Sequence, residues 1–322
     1  MQLIDVHAHF IPDHYRQALI AAGHTQPDGM PAIPAWSADG MLETMERIGI
    51  DTAILSVSSP GVHFGDDAAA AKLARSVNEE GTRQKAAHPE RFGLFASLPL
   101  PDVDGALREI DFAFDQLNAD GIVIESNSAG IYPGDALFDP VFAELDRRGA
   151  VLFLHPTSPH CPHCAIREGA LPRPMLEFMF ESTRAITNLV LSGTLEKYRN
   201  LKLIVPHAGA TLPVLAERIA AFASVFPDLH EGTARSVPDT LAGLYYDVAG
   251  FPLPQLLPAL RTLAPAQHLL YGSDWPFTPE PLVGRLLTQL DSYVVKQGAS
   301  LNGIWRRNAE ALFPRFSKVT KL

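Results

Sequence analysis

The chain has 322 residues, 47% of them hydrophobic and 19% charged, with a net charge of −10. That apolar fraction fills a large core and excludes a disordered chain. The lack of any Lys/Arg run speaks against nucleic acid and leaves a small molecule as partner, anionic ones included, because local arginines dominate a site whatever the net charge.

No basic segment followed by an apolar one opens the sequence, no stretch of ~18 apolar residues offers a membrane span, and two cysteines make no disulfide framework. The expectation is a soluble cytoplasmic enzyme with no membrane partner. Short apolar runs alternate with longer amphipathic ones. Strands are expected at 3–6, 52–57, 92–97, 121–124, 151–154, 202–205, 244–247 and 268–271, each mostly apolar, as in strands buried on both faces. Helices are expected at 39–48, 66–87, 103–117, 136–148, 173–192, 211–224, 253–263 and 279–296, with a last one near 300–312. Asp39 and Asp66 read as N-caps, Pro172 and Pro213 as first-turn prolines, and Gly49 and Gly149 as C-caps. Eight strands alternating with eight helices predict a (β/α)8 TIM-type barrel, one α/β domain over 1–322. A doubly wound sheet would want a glycine-rich turn after its first strand, and the sequence has none there. The inserts 10–38 and 156–171 follow strands one and five, so both are expected as lids on the catalytic face.

Four strand ends carry residues of metal or acid–base type. Strand one ends in His7-Ala8-His9, strand five at His155, strand six at His207 and strand eight at Asp274. Side chains two apart on a strand share a face, so both imidazoles of His7 and His9 can reach one cation. His155 would add a third nitrogen and Asp274 an oxygen, a set that suits Zn2+ with one position open. His207 fits an acid–base role. Any of these histidines alone reads as a polar residue at a core edge; four agreeing strand ends at the face where barrel sites form make the metal reading the stronger one.

With those residues in place, the chain resembles the amidohydrolase superfamily, in the branch of aminocarboxymuconate-semialdehyde decarboxylase and the hydroxybenzoate decarboxylases. The resemblance runs through Ile-Asp-Val-His-Ala-His-Phe-Ile-Pro at the start, Phe-Asp-Pro-Val-Phe at 138–142 and Leu-Phe-Leu-His-Pro-Thr at 152–157. It continues through Leu-Ser-Gly-Thr-Leu-Glu-Lys-Tyr at 191–198, Leu-Lys-Leu-Ile-Val-Pro-His-Ala-Gly-Ala at 201–210, Tyr-Gly-Ser-Asp-Trp-Pro-Phe at 271–277 and Asn-Ala-Glu-Ala-Leu-Phe at 308–313. The run Pro-Asp-Gly-Met-Pro-Ala-Ile-Pro at 27–34 is similar to 6-methylsalicylate decarboxylases. The resemblance implies His7, His9, His155 and Asp274 as ligands of one divalent metal and His207 as the catalytic histidine beside it. It matches Arg218 to an arginine that grips the substrate carboxylate, in some members from the neighbouring subunit, so a homodimer or higher homo-oligomer is expected. A guanidinium fork suits a carboxylate; without the resemblance, Arg218 reads as a solvated helix charge.

Two departures refine this. Many hydrolytic members carry a carbamylated lysine at the end of strand four, bridging two metals. Here that place reads Glu125-Ser126-Asn127, which points to one metal, with Glu125 as an alternative bridging ligand. Some decarboxylases replace the first histidine of the pair by Glu; retention of His7 favours Zn2+, with Mn2+ as the alternative. Asn127 reads as a substrate contact or a turn residue. Phe10, Trp275 and Phe277 flank ligands and read as ring-stacking residues or as core. The run His160-Cys161-Pro162-His163-Cys164 reads as a second metal site, a lid or plain surface loop. The expected activity is metal-dependent, non-oxidative decarboxylation of a hydroxybenzoate-type or related unsaturated acid. The alternatives are a metal-dependent lactone or ester hydrolase, a hydratase, or a binding protein on an inactive barrel.

Overall fold

The computed structural model describes residues 2–161, 171–226 and 235–317. Its order is β1 (Ile4–His9), α1 (Asp13–Ala21), α2 (Ala38–Ile48), β2 (Thr52–Ser56), α3 (Asp67–Ala87), β3 (Phe92–Ser97), α4 (Val103–Asp115), β4 (Gly121–Glu125), α5 (Asp139–Arg147) and β5 (Val151–His155). There follow α6 (Glu177–Leu191), α7 (Thr194–Lys197), β6 (Lys202–Val205), α8 (Leu212–Val225), α9 (Val237–Ala242), β7 (Tyr245–Asp247), α10 (Leu256–Leu260), β8 (Leu269–Leu270), α11 (Glu280–Gln297) and α12 (Arg307–Leu312). The strands form one parallel sheet in the order β1 to β8. The seam closes by backbone bonds from Val6 N–H to the Tyr271 carbonyl (3.0 Å), Asp274 N–H to His7 (2.8 Å) and His9 N–H to Trp275 (2.8 Å). The expected (β/α)8 barrel is therefore the fold.

Local chemistry sets the helix ends. Asp66 caps α3 by accepting from Ala69 N–H at 2.6 Å, and Pro213 lies in the first turn of α8. Gly49 and Gly149 take φ values of 87° and 60° just past α2 and α5, the left-handed turn that closes a helix at low steric cost. The cap of α2 is Ser37, whose Oγ accepts from Gly40 N–H, and not Asp39, which falls inside the first turn where its charge still suits the helix dipole. Pro172 precedes a 3-10 turn, Arg173–Met175, and the α-helix begins only at Glu177. The 10–38 insert carries α1, which periodicity missed because only Tyr15 and Leu19 are buried on it.

Two apolar cores result. Outside the sheet, Ala8, Phe10, Leu55, Leu94 and their neighbours pack against the helices. Inside it, Ile4, Val6, Ile54, Phe95, Val123, Phe153, Ile204 and Leu270 fill the barrel, closed at the amino-terminal end by Leu312, Phe313 and Phe316. A bulge in β1 controls what lies above this plug. Ile4 and Asp5 pair with Thr52 and Ala53, while Ala8 and His9 pair with Leu55 and Ser56, so Val6 and His7 together face Ile54. Strict alternation would put Ile4, Val6 and Ala8 on one face and both histidines on the other. The extra residue lets Val6 finish the apolar interior and turns His7 and His9 inward above it. Buried Asp5 holds the bulge, its Oδ1 accepting from His7 N–H and Ser273 N–H, both at 3.0 Å.

Candidate active site

The carboxyl ends of the strands converge as the barrel rule requires. One ligand atom from each of His7, His9, His155 and Asp274 lies within 4.8 Å of the others. His7 Nε2 and His9 Nε2 stand 3.5 and 3.3 Å from Asp274 Oδ1. The ring of Phe153 floors the site, 4.9 Å from the His7 ring.

Each imidazole is oriented by the nitrogen that faces away. His7 Nδ1–H donates to Asp247 Oδ2 at 2.9 Å. His9 Nδ1 lies 2.9 Å from Ser56 Oγ and 3.3 Å from the Ser56 carbonyl. His155 Nε2 lies 3.4 Å from Ser58 Oγ. That leaves His7 Nε2, His9 Nε2 and His155 Nδ1 buried without a hydrogen-bond partner. An orphaned buried nitrogen costs about 1–3 kcal/mol, and three in one place are the signature of a cation site. Burial pushes His9 and His155 below the ordinary imidazole range, which keeps their lone pairs free. Burial also lowers His7, but Asp247 and Asp274 outweigh it and push it up to about 10, a proton that a bound cation would displace. Burial alone would raise Asp274; the imidazoles of His207, His7 and His9 beside it hold it well below the usual carboxylate range. The donor set, three imidazoles and one carboxylate, fits a single divalent metal.

Sequence reasoning missed Asp247. It ends β7, and the strand-end rule that found the ligands would have flagged it. Fully buried, it also accepts from His207 N–H at 3.0 Å and Ala249 N–H at 2.9 Å, so it fixes a ligand and the catalytic-type histidine together. His207 Nε2 is 3.9 Å from Asp274 Oδ2. Both residues hold positive φ, 55° and 59°, strain of the kind that clusters at functional sites.

The cluster opens into a cavity of about 530 Å³ lined by His155, His207 and Asp274, by an apolar wall that includes Met30, Phe178, Met179 and Phe277, and by Asp28. Phe277 lies edge-on to His9, ring centroids 5.6 Å apart. Phe10 does not line the cavity: one residue past His9 it points outward and packs edge-on to Trp36 in the outer core. Trp275 also packs on that outer core, alongside Ala8. Asn127 lines a separate cavity, and its side chain bonds Ser158, Glu181 and Gly130 N–H, tying three loops together. Arg218 is exposed on α8 with its guanidinium over Phe222 at 4.9 Å, away from the cavity of its own chain. Glu125 Oε2 lies 3.5 Å from His155 Nδ1, but Glu125 does not join the four-residue cluster. In the 160–164 run, His160 lines the second cavity, while Pro162, His163 and Cys164 fall outside the described residues.

Gly272 lies directly beneath His7: a Cβ there would meet His7 Cβ at 2.7 Å and Ala249 Cβ at 3.1 Å. Gly272→Ala must therefore displace the β1 end. We expect metal affinity to fall by roughly 10–100-fold, the range for disturbed ligand support, read by competition with a chelating dye. Unchanged affinity would show that the strand end yields without moving the ligand.

Comparison with known proteins places this architecture. The amidohydrolase family model matches residues 4–315. A 6-methylsalicylic acid decarboxylase of Aspergillus aculeatus is 38% identical, covering 98% of this chain and 97% of its own. A crystal structure of a 2,6-dihydroxybenzoate decarboxylase with 2,6-dihydroxybenzoate superposes with a TM-score of 0.83 at 25% identity, covering 98% of this chain and 100% of that one. A dihydroxybenzoic acid decarboxylase of a Polaromonas species, solved with manganese and the inhibitor 2-nitroresorcinol, gives 0.83 at 25% identity over 97% of each chain.

Proposed function

Since the chain belongs to the amidohydrolase family, we propose that it is a metal-dependent decarboxylase of a salicylate-like 2-hydroxybenzoate, releasing CO2 without oxidation. The observation that carries this is the pairing of a three-imidazole, one-carboxylate cluster with a cavity of about 530 Å³ whose wall is otherwise mostly apolar. Pockets of this size enclose one small ligand. A benzene ring with an apolar substituent suits that wall, and its carboxylate suits the cluster. The relatives' named substrates support the same class.

The metal would be held by His7, His9, His155 and Asp274; when bound it supplies a Lewis-acid anchor for the carboxylate and ortho oxygen of the substrate. Zinc is our assignment for the resident ion, from three nitrogens and one oxygen; manganese is the ion named in the Polaromonas relative. Met30, Phe178 and Phe277 exclude water and hold the ring flat. Loss of CO2 straight from an aryl ring would leave a carbanion, so the ring carbon bearing the carboxylate must first take a proton. Asp274 faces that position from the β8 end and passes the proton to it, with His207 Nε2 3.9 Å from its Oδ2 to relay one in. Protonation makes the carbon tetrahedral. The carbon–carbon bond then breaks, its electron pair returns to the ring, and CO2 leaves with the new hydrogen in its place. Water restores the proton on the pair.

The test is CO2 release by metal-loaded protein from a panel of 2-hydroxybenzoates, with simple lactones and esters assayed in parallel. Turnover of an ortho-hydroxylated acid is expected. Lactone or ester hydrolysis without decarboxylation would replace this reading with the hydrolase one.

Arg218 enters this proposal through a second copy of the chain. Val214, Arg218, Phe222 and Val225 fall at i, i+4, i+8 and i+11 of α8, one exposed face with three large apolar side chains. A partner seated there would cover those side chains and carry its own Arg218 toward this cavity. Arg218→Ala is expected to raise KM with little loss of kcat, the mark of uniform binding, and sedimentation should find a homodimer or larger assembly. A monomeric, fully active protein would remove Arg218 from the site. No helix among the described residues is long and apolar enough to cross a membrane.

A further inference from the structure

The cavity is larger than a single substituted ring requires. A 2-hydroxybenzoate has about ten non-hydrogen atoms, and even at the ~30 Å³ that one molecule takes in liquid water they fill about 300 Å³. The cavity offers about 530 Å³. The remaining roughly 200 Å³ is room for several more carbon atoms.

That room lies along an apolar strip that runs from the metal cluster to the mouth. Phe178 is buried at its inner end, with its ring centroid 6.2 Å from that of His155. Met179, Leu256, Phe277 and Leu282 line its middle and are half-buried. Met175 and Phe251 line its outer end and are 65% and 61% exposed. The segment that carries Phe251 is anchored at the chemistry: it leaves Gly250, where a Cβ would meet His207 Cδ2 at 3.4 Å. Apolar side chains scattered singly over a surface need no explanation. Met175 and Phe251 are not scattered, because they share one cavity with His155, His207 and Asp274. Apolar surface left in water there is surface that an apolar ligand would cover favourably. Met30, Met175 and Met179, half of the six methionines in the chain, line this cavity. Unbranched and flexible, they pack well against a chain that is itself flexible. Val214, Phe222 and Val225, the apolar side chains of the α8 face assigned above to a second copy, are not among the lining residues.

We propose that the strip from Phe178 out to Met175 and Phe251 binds a linear alkyl chain on the substrate ring. The preferred acids are then 2-hydroxybenzoates that carry a chain longer than methyl, up to about six carbons. This rests on the hydroxybenzoate reading above and narrows it to alkyl-tailed, lipophilic acids.

The experiment measures kcat/KM for CO2 release from 2-hydroxybenzoates bearing methyl, ethyl, propyl, butyl or hexyl at ring positions 4, 5 and 6 in turn, with metal-loaded wild type, Met175→Gln and Phe251→Gln. At one position wild type should gain about fourfold per added methylene, the effect of taking one CH2 out of water, or about sixtyfold from methyl to butyl. The gain should appear in KM, since the chain touches no reacting atom. Each variant should cut the butyl-to-methyl ratio by roughly tenfold. The ratio is taken within one protein, so incomplete folding or metal loading cancels from it. Sedimentation of wild type and variants is measured alongside. If wild type turns over the methyl acids but gains nothing from a longer chain at any position, the chain-binding role is overturned and the decarboxylase reading stands. A ratio that both variants leave intact overturns it too, and a changed assembly state with that ratio intact gives the mouth to a second copy instead. If wild type releases CO2 from none of these acids, the decarboxylase reading falls and takes the chain-binding role with it.

Discussion

Replacing His7 with alanine is expected to strip the protein of its metal and lower CO2 release by at least about a thousandfold, since the anchor for the carboxylate goes with the ion. His7 is the residue through which the site is tied together. Its Nε2 is one of the orphaned nitrogens of the cluster, and its Nδ1–H is the donor that Asp247 holds. Removing the ring takes away a ligand and leaves Asp247 a buried carboxylate without that partner, a change of about 3–5 kcal/mol when one member of a buried pair is lost. Part of the damage would therefore be to folding. His9→Ala separates the two effects, because His9 leans on Ser56 and Asp274 keeps His7 and His207 beside it when His9 is removed. Metal content after dialysis, thermal melting and CO2 release should be read on both variants. Both should lose metal and activity, with His7→Ala the less stable. A His7→Ala protein that keeps its metal and its turnover would refute the ligand assignment.

Asp274→Asn should behave differently. An amide oxygen can still approach a cation, so metal occupancy at saturating metal is expected to persist. An amide cannot deliver a proton, and kcat should fall by roughly a hundredfold to ten-thousandfold, the range for loss of a positioned acid. His207 stands 3.9 Å from Asp274 Oδ2, placed to relay the proton, so His207→Asn should lower kcat as well. The two variants should not be additive, since they remove parts of one unit. In D2O the wild-type product should carry deuterium at the carbon that lost CO2. Full activity in Asp274→Asn, or product without deuterium, would remove the ring-protonation step.

Much of this site is legible in the amino-acid sequence alone. Eight apolar runs place eight strands, and the rule that barrel sites form at strand carboxyl ends gathers His7, His9, His155, His207 and Asp274 from positions more than 260 residues apart in sequence. That works because strand ends are a property of the chain's own periodicity, readable locally. Asp247 is legible by the same rule and escaped it, because an acid ending a strand looks ordinary until an imidazole is found against it.

The rest depends on contacts between distant segments. Phe10 and Phe277 both sit near ligands in sequence, yet Phe10 faces the outer helices and Phe277 the cavity. Which way each points follows from the bulge in β1 and from the turn after β8. The bulge exists because Asp5 can bind Ser273 N–H, a partner 268 residues away. Asp28 lies in an insert with no periodic pattern, and only its contact with Ser158, from the loop after β5, brings a carboxyl to the cavity. The strands, their order and the residues at their ends followed from local pattern. The inward turn of His7 and His9, the hold of Asp247 and the placing of Asp28 did not, because side-chain direction is set by hydrogen bonds and packing made across the closed barrel.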